Sequence, residues 1–200
     1  ALVDAMKQRT KNWKKYIVVI SDPGSKLSKW ADDENISLLK IPKAVGGRWS
    51  IFTGAGLFPL AVAGANIDGL LAGARNAFDQ GTQKQAQKNP AIKSAAALFF
   101  HVQKGRNIHD SFMFSPSLES LGLWYKQLAA ESLGHDGRGF FPSVSIGTID
   151  LHSVLQLTLD GPNKIFTSFI KNTGYENSVD LPQTDMWDVM VPNLSGKYVD

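Results

Sequence analysis

Three short stretches of the sequence hold residue types whose spacing could act on an anionic or carbonyl-bearing substrate. The first is Val45-Gly46-Gly47-Arg48-Trp49-Ser50. Paired glycines let a backbone approach a ligand closely, and Arg48 adds a guanidinium at the start of an apolar helix. Such a site favours an anion, including one that develops during a reaction. The second is the helical run Trp124–Ser132, in which Gln127 and Glu131 are four apart and share one face. A carboxylate there, next to the Gly-rich loop 134–139 and partly withdrawn from water, would have the raised pKa that a general base needs. The third is Gly147–Ser153, where Asp150 reads as a helix cap and His152 as a first-turn residue. The positive end of that helix would keep its imidazole neutral and able to exchange a proton. Taken singly, each stretch is matched or outweighed by a plainer explanation: a turn, a solvated glutamate, a histidine packed at a helix start.

The remaining candidates are weaker. His101 sits in an apolar helix (LFFHV) as a core or interface residue, His109 flanks a strand, and His135 lies in the loop where it could approach a ligand. No pair of histidines with a carboxylate shows metal-site spacing, so no metal is expected. There is no G-x-S-x-G elbow, no Walker A and no G-x-G-x-x-G after a strand, and no cofactor is expected. The absence of cysteine excludes disulfides, thiolate metal sites and a Cys nucleophile, and fits a reducing, cytoplasmic setting.

Charge and hydropathy narrow the classes further. Lys7, Arg9, Lys11, Lys14 and Lys15 form a basic run with only Trp13 and Tyr16 as aromatic neighbours. That pattern reads as a solvated helix face, so no nucleic-acid partner is expected. Ile51–Asn66 carries no charge, yet it is shorter than the roughly 20 residues of a membrane span and contains Pro59 and several glycines. A buried helix is expected there. The opening Ala1-Leu2-Val3-Asp4 lacks an apolar leader, so no signal peptide is expected.

These stretches need a scaffold. Apolar, β-branched runs predict strands at 17–21, 37–41, 110–114, 142–146 and 164–170. Helical patterns fall between them at about 3–14, 25–34, 48–64, 67–80, 90–104, 117–132 and 150–159, with Ser25, Asn66 and Asn89-Pro90 as start signals. Alternating strands and helices predict an α/β fold, a three-layer open parallel sheet with helices on both faces. Ligands bind beyond the carboxyl ends of such strands, and all three stretches are expected there. One domain is expected over 1–171, followed by a polar, Pro-punctuated connector over 172–200.

The order and wording of the stretches add to this reading. VGGRWSIFTGAGLFPLAVAGANIDGLLAGA resembles the VGGR[FY]S signature segment of glucose-6-phosphate isomerases, and WYKQLAAESLGHDGRGFFPSVSIGTIDLHSVLQLTLDGP resembles the family's Q-x-x-x-E-S-x-G helix and D-x-H-S segment. The likeness runs from about Ile17 to Gly161. It implies a sugar-isomerase (SIS-like) domain that interconverts glucose 6-phosphate and fructose 6-phosphate through a cis-enediolate. It further implies that Glu131 is the base, that Arg48 with Gly47 faces the enediolate, and that Gln127 contacts substrate. His152 would assist ring opening from a neighbouring subunit, so a homodimer is implied. The family's phosphate loop and its C-terminal lysine have no match here: Lys126, Lys164 and Lys197 do not sit in the matching motif. The chain alone is therefore expected to be inactive, and a non-catalytic sugar-phosphate sensor is the alternative.

Overall fold

The structure, a computed structural model, describes residues 1–173 and, beyond them, only the backbone of two-residue strands at 179–180 and 198–199. Nearly all of the expected connector lies outside the described residues. The chain divides into two compact units, Ala1–Phe100 and His101–Asp200. Both are α/β units with parallel strands joined by helices, the class that the strand and helix alternation predicts.

The first unit opens with α1 (Leu2–Arg9) and a 3₁₀ turn at Trp13–Tyr16. Then β1 (Val18–Ser21), α2 (Lys26–Asp33) and β2 (Ser37–Lys40) form a parallel strand–helix–strand unit with Val18 opposite Ser37. Ser25 caps α2 by accepting from the Ser28 N–H at 3.0 Å, which satisfies one of the orphan donors of the first turn. Trp13, Val19, Ala31 and Ile36 form the core. The basic run is more than a solvated face. Lys7 and Lys14 stand over the Trp13 ring at 4.8 and 5.6 Å, and Lys14 also pairs with Glu34 at 2.8 Å. Both ammonium groups thus sit against the indole face, and that of Lys14 also meets a carboxylate.

The apolar stretch after β2 is not the single buried helix expected. A 3₁₀ turn, Gly47–Phe52, is followed by α3 (Gly54–Val62), and none of their residues is fully buried. Thr53 makes the break: its backbone is extended, and its hydroxyl accepts from the Ala55 N–H at 3.2 Å to start a new helix. α4 (Ile67–Gly81) and α5 (Pro90–Gln103) follow, capped by the Asn66 and Asn89 side chains. Among the described residues no helix is long and apolar enough to cross a membrane.

In the second unit β3 (Ile108–Met113), α6 (Glu119–Leu133), β4 (Phe141–Ile146), α7 (Ile149–Ser153), α8 (Leu155–Asp160) and β5 (Ile165–Ile170) follow in order. The sheet order is β4-β3-β5, all parallel, with Ile108 opposite both Phe141 and Ile165. The helix expected over 150–159 is divided at Val154 into α7 and α8.

The packing of α6 on this sheet is very close. A Cβ on Gly122 would stand 2.6 Å from Val144 Cγ1 and 3.0 Å from Met113 Cε, and Ala129, two turns on, is buried. Gly122→Val should therefore lower stability by about 1–3 kcal/mol through overpacking. A fall in the urea midpoint with the slope unchanged is the expected readout.

Candidate active site

The Gly-Gly-Arg loop is held from below. Gly46 starts the 3₁₀ turn, with its carbonyl accepting from the Trp49 N–H at 3.0 Å, and the Ser50 hydroxyl donates to the Gly47 carbonyl at 2.6 Å. Just beyond, a Cβ on Gly54 would sit 3.2 Å from Leu39 Cβ, so the start of α3 lies directly on β2. A Cβ on Gly47 would meet nothing within 4 Å, and its φ is not positive. Neither packing nor backbone strain in this chain requires glycine at that position. Arg48 is half-buried in this loop, in the first unit.

Gln127, Glu131 and His152 belong to the second unit. On α6 the expected shared face is present: the Gln127 amide donates to Glu131 Oε1 at 2.9 Å. Both side chains are exposed, so the partly desolvated setting expected for Glu131 is not found in this chain. His135 Nε2 lies 3.1 Å from the Glu131 carbonyl oxygen, which ties the start of the Gly-rich loop to the end of α6. That loop reverses through Asp136, Gly137 and Gly139, all with positive φ; at Gly139 a Cβ would also sit 2.8 Å from the Leu133 carbonyl oxygen.

Asp150 is not the cap. Thr148 occupies the N-cap of α7, and Asp150 instead accepts from the Ile146 N–H at 2.6 Å and from the Ser153 hydroxyl at 2.7 Å. One carboxylate thus fastens α7 to the end of β4. His152 is exposed and lies in the last turn of a five-residue helix, not the first, so the helix-start argument for its neutral form does not apply.

The three sequence stretches do not all lie beyond the carboxyl ends of the strands. α6 returns antiparallel to the sheet: Gly122 lies against Met113, the last residue of β3, whereas Tyr125 reaches His109, near its start. Glu131, nearly two turns further, is therefore at the amino edge of the sheet. His152 follows β4 at the carboxyl edge. Six strand residues separate those edges by roughly 20 Å. Within one copy Gln127 and Glu131 are together, and His152 is apart from them.

Two neighbouring residues that the sequence reading set aside or did not single out, His109 and Asp110, are buried and have pKa values shifted in opposite directions. His109 does not flank a strand but lies within central β3, buried, with Nδ1 2.8 Å from the Tyr125 hydroxyl and Nε2 3.0 Å from Ser168 Oγ. Its ring stacks on Phe166, which also stacks on His101, each at a centroid distance of 4.7 Å. His101, expected as a hydrogen-bonded core or interface residue, is hydrogen-bonded, with Nδ1 3.1 Å from Arg106 Nη1, but is half-buried and not a core residue. Burial, with a smaller contribution from the charge of His101, pulls His109 down to about 4. Asp110, on the opposite face of β3, is pushed up by burial against the pull of the Ser145 and Ser143 hydroxyls, with Asp150 adding to the rise. The signal in the sequence was a His-Asp-Ser run in a strand whose neighbours are apolar.

An imidazole held neutral when folded, with an ordinary value of 6.5 when unfolded, binds its proton first in the unfolded chain. Its contribution is intact above pH 6.5 and is lost as pH falls towards 4. Asp110, raised on folding, acts with the opposite sign. The urea midpoint should fall across that window, and His109→Gln should flatten the fall.

The family model described as phosphoglucose isomerase matches residues 1–191. A glucose-6-phosphate isomerase of Rubrobacter xylanophilus is 38% identical over 167 residues, which is 82% of this chain and 38% of that protein. The glucose-6-phosphate isomerase of Methanocaldococcus jannaschii is 33% identical over 193 residues, covering 96% and 47% respectively. Among solved structures, a hypothetical protein of Thermus thermophilus superposes with a TM-score of 0.82 at 29% identity, over 99% of this chain and 49% of its own. A glucose-6-phosphate isomerase of Chlamydia trachomatis shares the fold with a TM-score of 0.74 at 17% identity, over 84% and 35%. The chain thus spans less than half the length of the relatives it matches.

Proposed function

The chain belongs to the phosphoglucose isomerase family, and we propose that it supplies the proton-transfer part of a site interconverting glucose 6-phosphate and fructose 6-phosphate in the cytoplasm. The observation that carries this reading is the Gln127–Glu131 pair, a carboxylate held by its neighbour at 2.9 Å on one edge of α6. Aldose–ketose exchange moves a proton between C1 and C2 and leaves negative charge on oxygen in between. Glu131 takes the proton from one carbon and returns it to the other. Arg48, with the open backbone at Gly47, offsets the charge of the cis-enediolate. Gln127 orients the carboxylate and contacts substrate. A positioned base supplies about 10²–10⁴-fold, or roughly 3–5 kcal/mol.

His152 assists ring opening in the site of a second copy. The support for sharing is the roughly 20 Å between the two sheet edges, which no single copy can span around one hexose. A two-fold dimer would bring His152 of each copy to Glu131 of the other. The phosphate grip and the ring-opening lysine are supplied by parts of the protein outside this chain, so the chain by itself would be inactive.

Glu131→Gln in the full-length polypeptide should lower kcat by at least about 10²-fold with KM little changed. It should also abolish exchange of the substrate's C2 proton with solvent; unchanged turnover would remove Glu131 from the mechanism. For sharing, mixing inactive Glu131→Gln and His152→Ala subunits should restore about a quarter of the wild-type activity, because half the dimers are hybrids with one intact site each. A mixture as inactive as its parents would place both residues in one copy's site. Sugar-phosphate binding by the intact protein with no turnover at all would favour a sensor instead.

A further inference from the structure

The helix that carries Gln127 and Glu131 meets its sheet through two small residues and one hydrogen-bonding side chain. Gly122, Tyr125 and Ala129 lie on one face of α6, and the two small residues let the helix lie almost on the strand side chains. Contacts of that kind are non-directional and act through closeness of fit, whereas a hydrogen bond adds a direction. Tyr125, between them, is different. Its hydroxyl meets His109 Nδ1 at 2.8 Å, and the two rings are edge to face at 5.5 Å.

His109 can serve as a fixed point because it is held on its other sides. Ser168 of β5 holds Nε2, Phe166 stacks on its face and Phe140 meets it edge-on at 5.5 Å. Gln127 and Glu131 lie two and six residues beyond Tyr125, on the outer side of the same helix. With side chains, a helix is about 5–6 Å in radius, so a 10° rotation shifts an outer group by about 1 Å. A displacement of that size can cost about 10²-fold in rate.

We propose that His109 and Tyr125 are positioning residues for the isomerase reaction: their hydrogen bond sets the rotation of α6, and through it the position of the Glu131 carboxylate. The proposal rests on Glu131 being the base. Neither residue touches substrate.

The test uses the full-length polypeptide. Tyr125→Phe keeps the ring and removes the hydroxyl; it should lower kcat by about 10- to 100-fold while KM stays within about twofold. His109→Asn keeps an acceptor near Nδ1 and loses the Ser168 contact, whereas His109→Gln keeps a group near Nε2 and loses the tyrosine. Asn should therefore retain more kcat than Gln at a similar loss of thermal stability. In a Glu131→Gln background, Tyr125→Phe should add no further loss. An unchanged kcat in Tyr125→Phe, or a His109→Gln protein as active as His109→Asn, would overturn the positioning role while leaving Glu131 as base. Full turnover in Glu131→Gln alone would instead remove the base assignment, and the two failures are distinguishable.

Discussion

The second unit depends on how closely one helix can lie on one sheet. At Gly122 the backbone of α6 comes within a side chain's width of Val144 and Met113, and no residue with a Cβ fits without a shift. That approach determines what the rest of the unit must do. It brings Tyr125 within reach of a histidine in the central strand, carries the end of α6 past the amino edge of the sheet, and makes the glycine-rich reversal necessary before β4 can begin. Interiors are packed too densely to absorb even one methylene there.

The strand–helix alternation was legible because it is written in local terms. The run Ile17–Ile20 is apolar and β-branched, and Ser25, Asn66 and Asn89 each cap the helix that their position announces. The Gln127–Glu131 contact was legible for the same reason, since it needs only the helical repeat. Features set by longer reach were not. His109 bonds to residues 16 and 59 positions away, so the apolar residues beside it hint at its burial but nothing nearby names its partners. Asp150 looks like a cap, yet reaches back to the Ile146 N–H before its helix begins. Thr53 divides a uniformly apolar stretch because one hydroxyl competes for the backbone.

The placement of Glu131 is the instructive error. Binding beyond the carboxyl ends of strands is a sound rule for loops that follow strands. Glu131 follows a helix, and a crossover helix ends where the next strand starts. A residue late in α6 is therefore carried to the opposite edge from a residue just after β4. The same alternation that made the fold readable thus separates residues that stand only about twenty positions apart in the sequence.

The Asp150 carboxylate has one more consequence. A helix of five residues is far below the length at which helical structure sustains itself in water. α7 exists because one side chain accepts from the backbone before it and from the serine within it. Its opening breaks these bonds and the few of the short helix itself, whereas central β3 is buried and paired on both sides. In hydrogen exchange, amides around His152 would follow a shallow local opening and those of β3 the deepest one. The segment bearing His152 is thus energetically semi-independent of the sheet that carries it, free to adjust to a neighbour without disturbing the seat of α6.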